Sequence, residues 1–164
     1  MRIRDVTPND LPAIFAIYNR EIRESTAIFD STEIDEASAR AWFDDRQNPR
    51  HPGIVMCEAD EVLGFAWMSA WSQKCGYARA AEVSVYVHRD HHRKGIGRQL
   101  MEALRARAQE NGVCVLLSRI ESSQIPSKLL HEAVGFTLIG TQHRVGEKFG
   151  RILDVDLYEC SLEA

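Results

Sequence analysis

The spacing of apolar residues divides the chain into helical and strand-like segments. In segment 7–24 the apolar residues recur every three or four positions, which predicts a helix with one buried face. Its start carries Thr7 as a candidate N-cap, Pro8 in the first turn and Asp10 where a capping box has its acid. A second helix is predicted over 35–46. The buried face of the first helix is predicted to contain Leu11, Ile14, Phe15, Tyr18 and Ile22.

After residue 53 the pattern alternates between strands and helices. A continuous apolar run over 113–120 is typical of a strand that is covered on both faces. In a strand predicted over 78–89, small and branched apolar residues alternate with four other residues. These four are predicted to lie on the face opposite the apolar one: Glu82, Ser84, Tyr86 and His88. The remaining strands are predicted at 2–6, 54–59, 61–71, 136–145 and 151–162, and the remaining helices at 95–111 and 125–134.

The order of these elements predicts the fold class. The order β-α-α-β-β-β-α-β-α-β-β is that of an α/β protein with one mixed central sheet. No linker-like segment or internal repeat divides the chain, and a length of 164 residues suits one packed domain. We therefore expect a single domain over residues 1–164.

Composition and charge exclude several classes of partner. The formal net charge is -4 and the pI is about 5.9, whereas a general nucleic-acid binder shows a basic face. No apolar run approaches the roughly 20 residues of a membrane span, and the first residues lack the apolar core of a secretory signal. We expect neither a nucleic-acid nor a membrane partner. Because the cysteines are scattered without a CxxC pair, we expect reduced thiols and a cytoplasmic location; they are Cys57, Cys75, Cys114 and Cys160.

A basic, glycine-containing turn, "HHRKGIGRQL", lies between a predicted strand and a predicted helix. Gly95 and Gly97 allow the backbone to approach a ligand closely. The first N–H groups of a helix have no intrahelical partner and lie at the positive end of its dipole. Together with Arg93, Lys94 and Arg98 they could hold a pyrophosphate. The alternative is that this turn binds no ligand: glycine would then only permit the chain to enter the helix, and the basic residues would be solvated.

Two other ligands fit this turn poorly. A metal site would need His88, His91 and His92, which lie among cations and have only Asp90 as a nearby acidic partner. No metal is therefore expected. The sequence also lacks the GxxxxGK[ST] loop of nucleotide-binding proteins and the GxGxxG of dinucleotide-binding proteins. The anion is therefore expected to belong to another phosphate-bearing cofactor.

The turn also resembles a known signature. "HHRKGIGRQLM" after the "EVSVYV" strand is similar to the acetyl-CoA signature of the GNAT N-acetyltransferases, Q/R-x-x-G-x-G/A. "STAIFD", "IES", "LHEAVGF" and "VGEKFGR" further resemble the subgroup that acetylates phosphinothricin and methionine sulfone or sulfoximine. Two positions depart from the pattern: His92 occupies the Q/R position, and Gln124 stands where the subgroup usually has Asn. The resemblance implies acetyl-CoA as cosubstrate and a homodimer.

The resemblance also implies roles for individual residues. Glu82 would be the general base, and His131 would assist near the reacting centre. The alternatives are a strand glutamate paired with an arginine such as Arg79, and a histidine that only packs. The cofactor-binding residues would be Val85, Tyr86 and Val87 through their backbone, with Arg93, Lys94, Gly95, Ile96, Gly97, Arg98 and Gln124. The acceptor pocket would be lined by Phe29, Trp71, Cys75, Gly76, Tyr77 and Arg79.

The function implied is transfer of an acetyl group to the α-amine of a small amino acid or toxic analogue. Related enzymes often show "WR" and "FR" near the acceptor pocket, whereas this chain has "WS" and "YA" with Arg79 one place later. Since an amino-acid carboxylate favours a bidentate arginine, this departure leaves the acceptor open. The alternatives are another small amine, a peptide N-terminus, or a non-catalytic module that binds acyl-CoA.

Overall fold

The fold was analysed in a computed structural model that describes residues 1–59 and 61–162. A seven-stranded sheet has the order β1-β2-β3-β4-β5-β7-β6, and only the central β4–β5 pair is parallel. The predicted order of elements and the mixed sheet are confirmed. The strands are β1 Arg2–Asp5, β2 Gly53–Glu58, β3 Glu61–Ala70, β4 Ala80–Val87, β5 Val115–Glu121, β6 Thr137–Lys148 and β7 Arg151–Ser161. The helices are α1 Leu11–Glu24, α2 Glu36–Asp45, α3 Ile96–Glu110 and α4 Ile125–Ala133.

Apolar cores cover both faces of the sheet. On one face α3 buries Leu100, Met101 and Leu104 against the strands, and α4 lies on the same side. On the other face α1 and α2 pack Phe15 and Phe43 against β2 and β3. Burying one such side chain contributes about 1.5–3 kcal/mol relative to leaving it exposed. The two helical layers therefore fix the central strands from both sides.

The first helix begins later than the sequence predicts. Residues Pro8–Asp10 form a 3₁₀ turn, and α1 starts at Leu11. Pro12 has no N–H, so it cannot donate to the Pro8 carbonyl as an α-helix would require. The Leu11 N–H bonds that carbonyl instead. Asp10 still acts as the acid of the predicted capping box, since its carboxylate accepts from the Thr7 backbone N–H at 2.8 Å.

The last hairpin is also longer than predicted. The predicted strands 136–145 and 151–162 leave residues 146–150 between them, but β6 continues to Lys148 and the turn consists of Phe149 and Gly150. Both turn residues have positive φ, 52° and 70°, as in the two-residue turns that match the twist of antiparallel strands. Alternation alone did not show this extension, because the pairing of β6 is interrupted by bulges between Leu138 and Gly140 and between Gln142 and Gly146.

No helix within the described residues is long and apolar enough to cross a membrane.

Candidate active site

A groove opens where the two parallel strands separate. β4 and β5 are paired only from Ala80 with Val115 to Glu82 with Leu117. Beyond this point β4 continues beside β3 and β5 continues beside β7, so the edges of segments 83–87 and 118–121 face each other without pairing. The groove between them has a volume of about 880 Å³. Glu82 is the last residue of β4 that pairs with β5, and it therefore lies at the closed end of the split between these two strands.

The free edge of β4 offers backbone groups to this groove. The Ala80 carbonyl accepts from Trp71 of the β3 side, whereas the Arg79 carbonyl accepts from Cys114 of the β5 side. Because partners alternate along a strand, odd-numbered residues of β4 direct their N–H and C=O groups toward β5. Val85 and Val87 thus direct backbone groups into the groove, whereas Tyr86 directs its own toward β3. This assigns the predicted backbone contacts to the two valines.

The predicted anion-binding turn lies at the open end of the groove. Gly95 precedes α3 with φ of 77°, a left-handed conformation that favours glycine. The lining of the groove includes Arg93, Gly95, Ile96, Gly97 and Arg98, and the first-turn N–H groups of α3 lie in the same turn. Cationic side chains and unpaired backbone donors at one point fit a pyrophosphate.

Two further turn residues act locally. Lys94 is not part of the lining, and its Nζ lies 3.3 Å from Nδ1 of His91. The ring of His92 lies 2.9 Å from the Val87 carbonyl through Nε2, so that nitrogen donates to the carbonyl. His92, which occupies the Q/R position of the signature, therefore holds the end of β4 to the turn. No group of histidine, cysteine and carboxylate side chains within the described residues could hold a metal ion.

The carboxylate of Glu82 forms a bidentate ion pair with Arg119 of β5. Arg119 Nε donates to Oε1 at 2.6 Å and a terminal nitrogen donates to Oε2 at 2.5 Å. The Glu82 side chain is 17% exposed, whereas that of Arg119 is 55% exposed and lines the groove. The Arg119 guanidinium also lies 5.5 Å from the centre of the Trp71 ring. The alternative interpretation of Glu82, a strand glutamate paired with an arginine, named Arg79 as an example, and the arginine that pairs with Glu82 in the structure is Arg119.

His131 presents a buried, neutral ring to the groove. Its side chain is 2% exposed and its Nδ1 donates to the Ser127 carbonyl at 2.8 Å. Nε2 is then the acceptor nitrogen, and it has no hydrogen-bond partner among the described residues. Burial lowers the pKa of His131 below its ordinary value of 6.5, against a weaker raising effect of the hydrogen bond to Ser127. At neutral pH the ring can accept a proton or a hydrogen bond but has no proton to donate from Nε2.

Gln124 and Glu121 form a polar wall that sequence reasoning only partly found. Gln124 Nε2 donates to the Thr26 hydroxyl at 2.9 Å, and that hydroxyl donates to the buried Glu121 carboxylate at 2.6 Å. Burial alone would raise the pKa of Glu121, but donors from Ser123 and Thr26 lower it. Glu121 was noted only within "IES", and Arg119 was missed. Their signal was a charge at the end of an otherwise apolar strand.

The predicted acceptor residues are spread outside the groove. Among the described residues that line it, none is Phe29, Trp71, Cys75, Gly76, Tyr77 or Arg79. Phe29 packs against Gly146 of β6, where an added Cβ would lie 2.2 Å from its ring. Cys75–Tyr77 is an exposed 3₁₀ turn. The Nε of Arg79 donates to Sγ of Cys114 at 2.9 Å, so its side chain turns toward the start of β5. Trp71 remains adjacent through Arg119.

Comparison with known proteins assigns the family. The acetyltransferase (GNAT) domain matches residues 3–157. The chain belongs to the GNAT family. A Pseudomonas aeruginosa protein named L-methionine sulfoximine/L-methionine sulfone acetyltransferase is 41% identical, covering 98% of this chain and 94% of its own. A phosphinothricin N-acetyltransferase of Alcaligenes faecalis is 33% identical over 99% of this chain and 83% of its own.

Solved GNAT structures confirm the fold and the cosubstrate. A Salmonella typhimurium acetyltransferase solved with acetyl-CoA is 35% identical, covers 100% of this chain and 95% of its own, and has a TM-score of 0.96. A Brucella melitensis structure named ribosomal-protein-alanine N-acetyltransferase is 35% identical, covers 98% of this chain and 99% of its own, and has a TM-score of 0.95. This GNAT chain is an N-acetyltransferase that uses acetyl-CoA, and the non-catalytic alternative is not retained.

Proposed function

We propose that this enzyme acetylates the α-amino group of a small amino acid or toxic analogue, with Glu82 as general base. The acceptor class comprises methionine sulfoximine, methionine sulfone and phosphinothricin, which the names of relatives at 41% and 33% identity support. The observation that carries the proposal is the position of Glu82 at the point where β4 and β5 separate, with its carboxylate bonded to Arg119, which lines the groove. A base at that point lies beside the free backbone edge of Val85, where the acyl carbonyl could be held.

The residues of this chain supply binding, orientation and proton transfer. When bound, acetyl-CoA supplies the thioester whose C–S bond breaks as the new C–N bond forms. The turn around Gly95 would bind its pyrophosphate, and the outward backbone groups of Val85 and Val87 would bind its amide arm. A backbone N–H at Val85 would also donate to the carbonyl oxygen of the acetyl group. The carbonyl of Val87 already accepts from His92, so at that residue the N–H group is the one left for the amide arm.

Glu82 can accept a proton while it remains near Arg119. A carboxylate has about four lone-pair sites, and the two bonds from Arg119 occupy one on each oxygen. A remaining site can accept a hydrogen bond from the acceptor ammonium and take its proton, which leaves the amine lone pair free to attack. His131 would assist as a neutral acceptor at Nε2, because His131 is one of the residues that line the groove and this nitrogen has no hydrogen-bond partner among the described residues.

A panel of acceptors tests the proposed function. The wild-type chain is incubated with acetyl-CoA and L-methionine sulfone, L-methionine sulfoximine, phosphinothricin or the twenty common amino acids, and release of the CoA thiol is followed. We expect release above the amine-free background for at least one of the three analogues. Background release with every α-amino acid would contradict the proposal.

A second acceptor class is favoured by one comparison. The Brucella melitensis structure is named ribosomal-protein-alanine N-acetyltransferase, and the backbones match with a TM-score of 0.95. A peptide N-terminus has an α-amine but no neighbouring carboxylate. A short peptide beginning with alanine therefore belongs in the same panel, and turnover of this peptide in preference to free amino acids would favour the second class.

We further propose that the enzyme is a homodimer joined through the β6–β7 hairpin. β6 is an edge strand of the sheet, and the hairpin exposes Leu138, Ile139, Val145, Phe149 and Ile152. Large apolar side chains grouped on one edge favour burial against a partner surface. Light scattering should give twice the 18.6 kDa of one chain, and a monomer at micromolar concentration would contradict this. The cytoplasmic location stays a prediction.

A further inference from the structure

We propose that Arg119 binds the α-carboxylate of the acceptor and thereby selects amino acids over simple amines. This inference rests on the proposed function, since it names the residue that recognises the acceptor class. Its basis is the bidentate pair in which Arg119 holds both oxygens of Glu82. That geometry shows that the guanidinium fork is already oriented to bind a carboxylate at the reaction end of the groove.

The charges of this pair are complementary to those of an α-amino acid. At neutral pH such an acceptor carries an ammonium and a carboxylate on the same carbon. Glu82 and Arg119 carry the opposite charges side by side, at 2.5 Å between their nearest atoms. An acceptor can place its ammonium against Glu82 and its carboxylate against Arg119, so every charge keeps a partner. The same movement frees oxygen lone pairs of Glu82 for the proton that leaves the ammonium.

Arg119 is able to change partners at low cost. Its side chain is 55% exposed, and although that of Glu82 is only 17% exposed, the acceptor ammonium takes the place of the guanidinium beside it, so no buried charge is left unpaired. The Trp71 ring, 5.5 Å from the guanidinium carbon, limits how far the fork can move by a cation–π contact. Arg119 therefore stays at the reaction end of the groove when its bonds to Glu82 loosen.

Other cations in the described part of the chain are less suitable. The lysine and arginine residues that line the groove, apart from Arg119, are Arg89, Arg93 and Arg98; the last two belong to the turn that would hold the pyrophosphate, and Arg89 pairs with Glu24. The sequence left open whether Arg79 binds the acceptor carboxylate, and in the structure its Nε donates to Sγ of Cys114, with neither residue in the groove lining. Related enzymes often have arginines where this chain has "WS" and "YA", and Arg119 of β5, on the opposite wall of the groove, would take their place.

The test compares two acceptors that differ only in the carboxylate. Kinetic constants are measured for L-methionine sulfone and for its carboxamide with the wild-type chain, Arg119→Gln and Arg119→Lys. We expect Arg119→Gln to raise KM for the free acid by about 10- to 100-fold and to change KM for the carboxamide far less. Arg119→Lys should recover part of the affinity for the acid, because it retains the charge but loses the bidentate geometry.

Controls separate this inference from loss of structure and from failure of the proposed function. Arg107→Gln removes another half-exposed arginine, which pairs with Asp5 at 2.6 Å away from the groove, and should change neither KM. If Arg119→Gln impairs both acceptors equally, Arg119 serves only as the partner of Glu82 and the inference is overturned. It also fails if the wild type shows no preference for the acid. Turnover of neither compound, nor of any other α-amino acid, would overturn the proposed function and this inference with it.

Discussion

At the scale of single residues, His131 combines deep burial with a titratable ring. Its Nδ1 donates to the Ser127 carbonyl, and its ring packs against Phe136 with 5.1 Å between ring centres. Burial holds the pKa of this ring below 6.5. In the unfolded chain the same ring binds a proton near pH 6.5. Folding therefore excludes a proton from His131 as the pH falls.

This difference predicts a pH-dependent contribution of His131 to stability. Because the folded pKa is lowered, the stability is fully present above about pH 6.5 and decreases as the pH falls toward the folded pKa. One proton changes the free energy of unfolding by at most about 1.4 kcal/mol per pH unit. His131→Gln should show a shallower decrease between pH 7 and pH 5 in chemical denaturation. Parallel curves for the variant and the wild type would contradict the assignment, whatever their offset.

The sequence predicted some site residues and missed others for a physical reason. Glu82 could be found because alternation along one strand and the family resemblance both fall on it. Arg119 could not, because its partner is 37 residues away along the chain and only the register of β4 with β5 brings the two together. The alternative partner Arg79 is close to Glu82 in the sequence, but it precedes β4 and its Nε donates to Sγ of Cys114. Local patterns do not contain this register.

At the scale of elements, the turn between β4 and α3 depends on one left-handed residue. Gly95 has φ of 77° immediately before α3, where an L side chain is strained. A change in this residue shifts the first N–H groups of α3, which we expect to bind the pyrophosphate. Gly150 in the last hairpin has a similar φ of 70° and open space for a Cβ, yet it lies far along the chain from the groove lining.

This pair of glycines gives a matched prediction. Gly95→Ala and Gly150→Ala should each destabilise the fold by about 1–2 kcal/mol, because each forces an alanine into the left-handed region. Only Gly95→Ala should also raise KM for acetyl-CoA, by roughly 10-fold, since of the two turns only that one is proposed to bind the pyrophosphate. Thermal denaturation and steady-state kinetics measure the two effects. Equal KM values for the two variants would show that the turn does not bind the cosubstrate.

The start of α1 and the end of β6 depend on local backbone chemistry that the spacing of apolar residues does not show. The delayed start of α1 comes from the missing N–H of Pro12, and the extension of β6 comes from two-residue turn geometry at Phe149 and Gly150. Bulges in β6 shift its alternation partway along the strand. Periodicity therefore predicted which elements exist, whereas backbone geometry decided where several of them end.

At the scale of the whole molecule, a local basic turn lies on a chain of net charge -4. Arg93 lines the groove and Arg98 pairs with Glu102 of the same helix at 2.7 Å. The overall field therefore opposes the approach of an anionic cosubstrate, and the turn has to attract it locally. Such attraction is screened by salt over a Debye length of about 10 Å at 0.1 M.

The balance of charge predicts a salt-dependent effect of Arg93. Arg93→Ala should raise KM for acetyl-CoA by roughly 3- to 10-fold at low salt, and the difference from the wild type should shrink at 1 M salt. Arg40→Ala on α2, which loses an exposed pair with Asp44, should leave this KM unchanged at every salt concentration. A constant difference across salt concentrations would mean that Arg93 acts by shape rather than by charge.

The order of elements and a mixed central sheet were predictable from the sequence, but the order of strands within the sheet and the split between two of them were not. Within residues 1–59 and 61–162, seven strands and four α-helices follow in the predicted order. The point at which β4 and β5 separate depends on how long two strands about 35 residues apart stay paired. That point places Glu82 next to the residues that line the groove, with its carboxylate bonded to Arg119 of the lining, and leaves the segment after it available to a ligand.

The central claim, that Glu82 removes the proton from the acceptor amine, is tested most directly by one kinetic comparison. kcat/KM for L-methionine sulfone is measured at pH 7 for the wild type, for Glu82→Gln and for the control Glu33→Gln, whose residue pairs with Arg23 on the surface. We predict a decrease of about 10²- to 10⁴-fold for Glu82→Gln alone, with KM for acetyl-CoA nearly unchanged. A Glu82→Gln enzyme as active as the wild type would contradict the account.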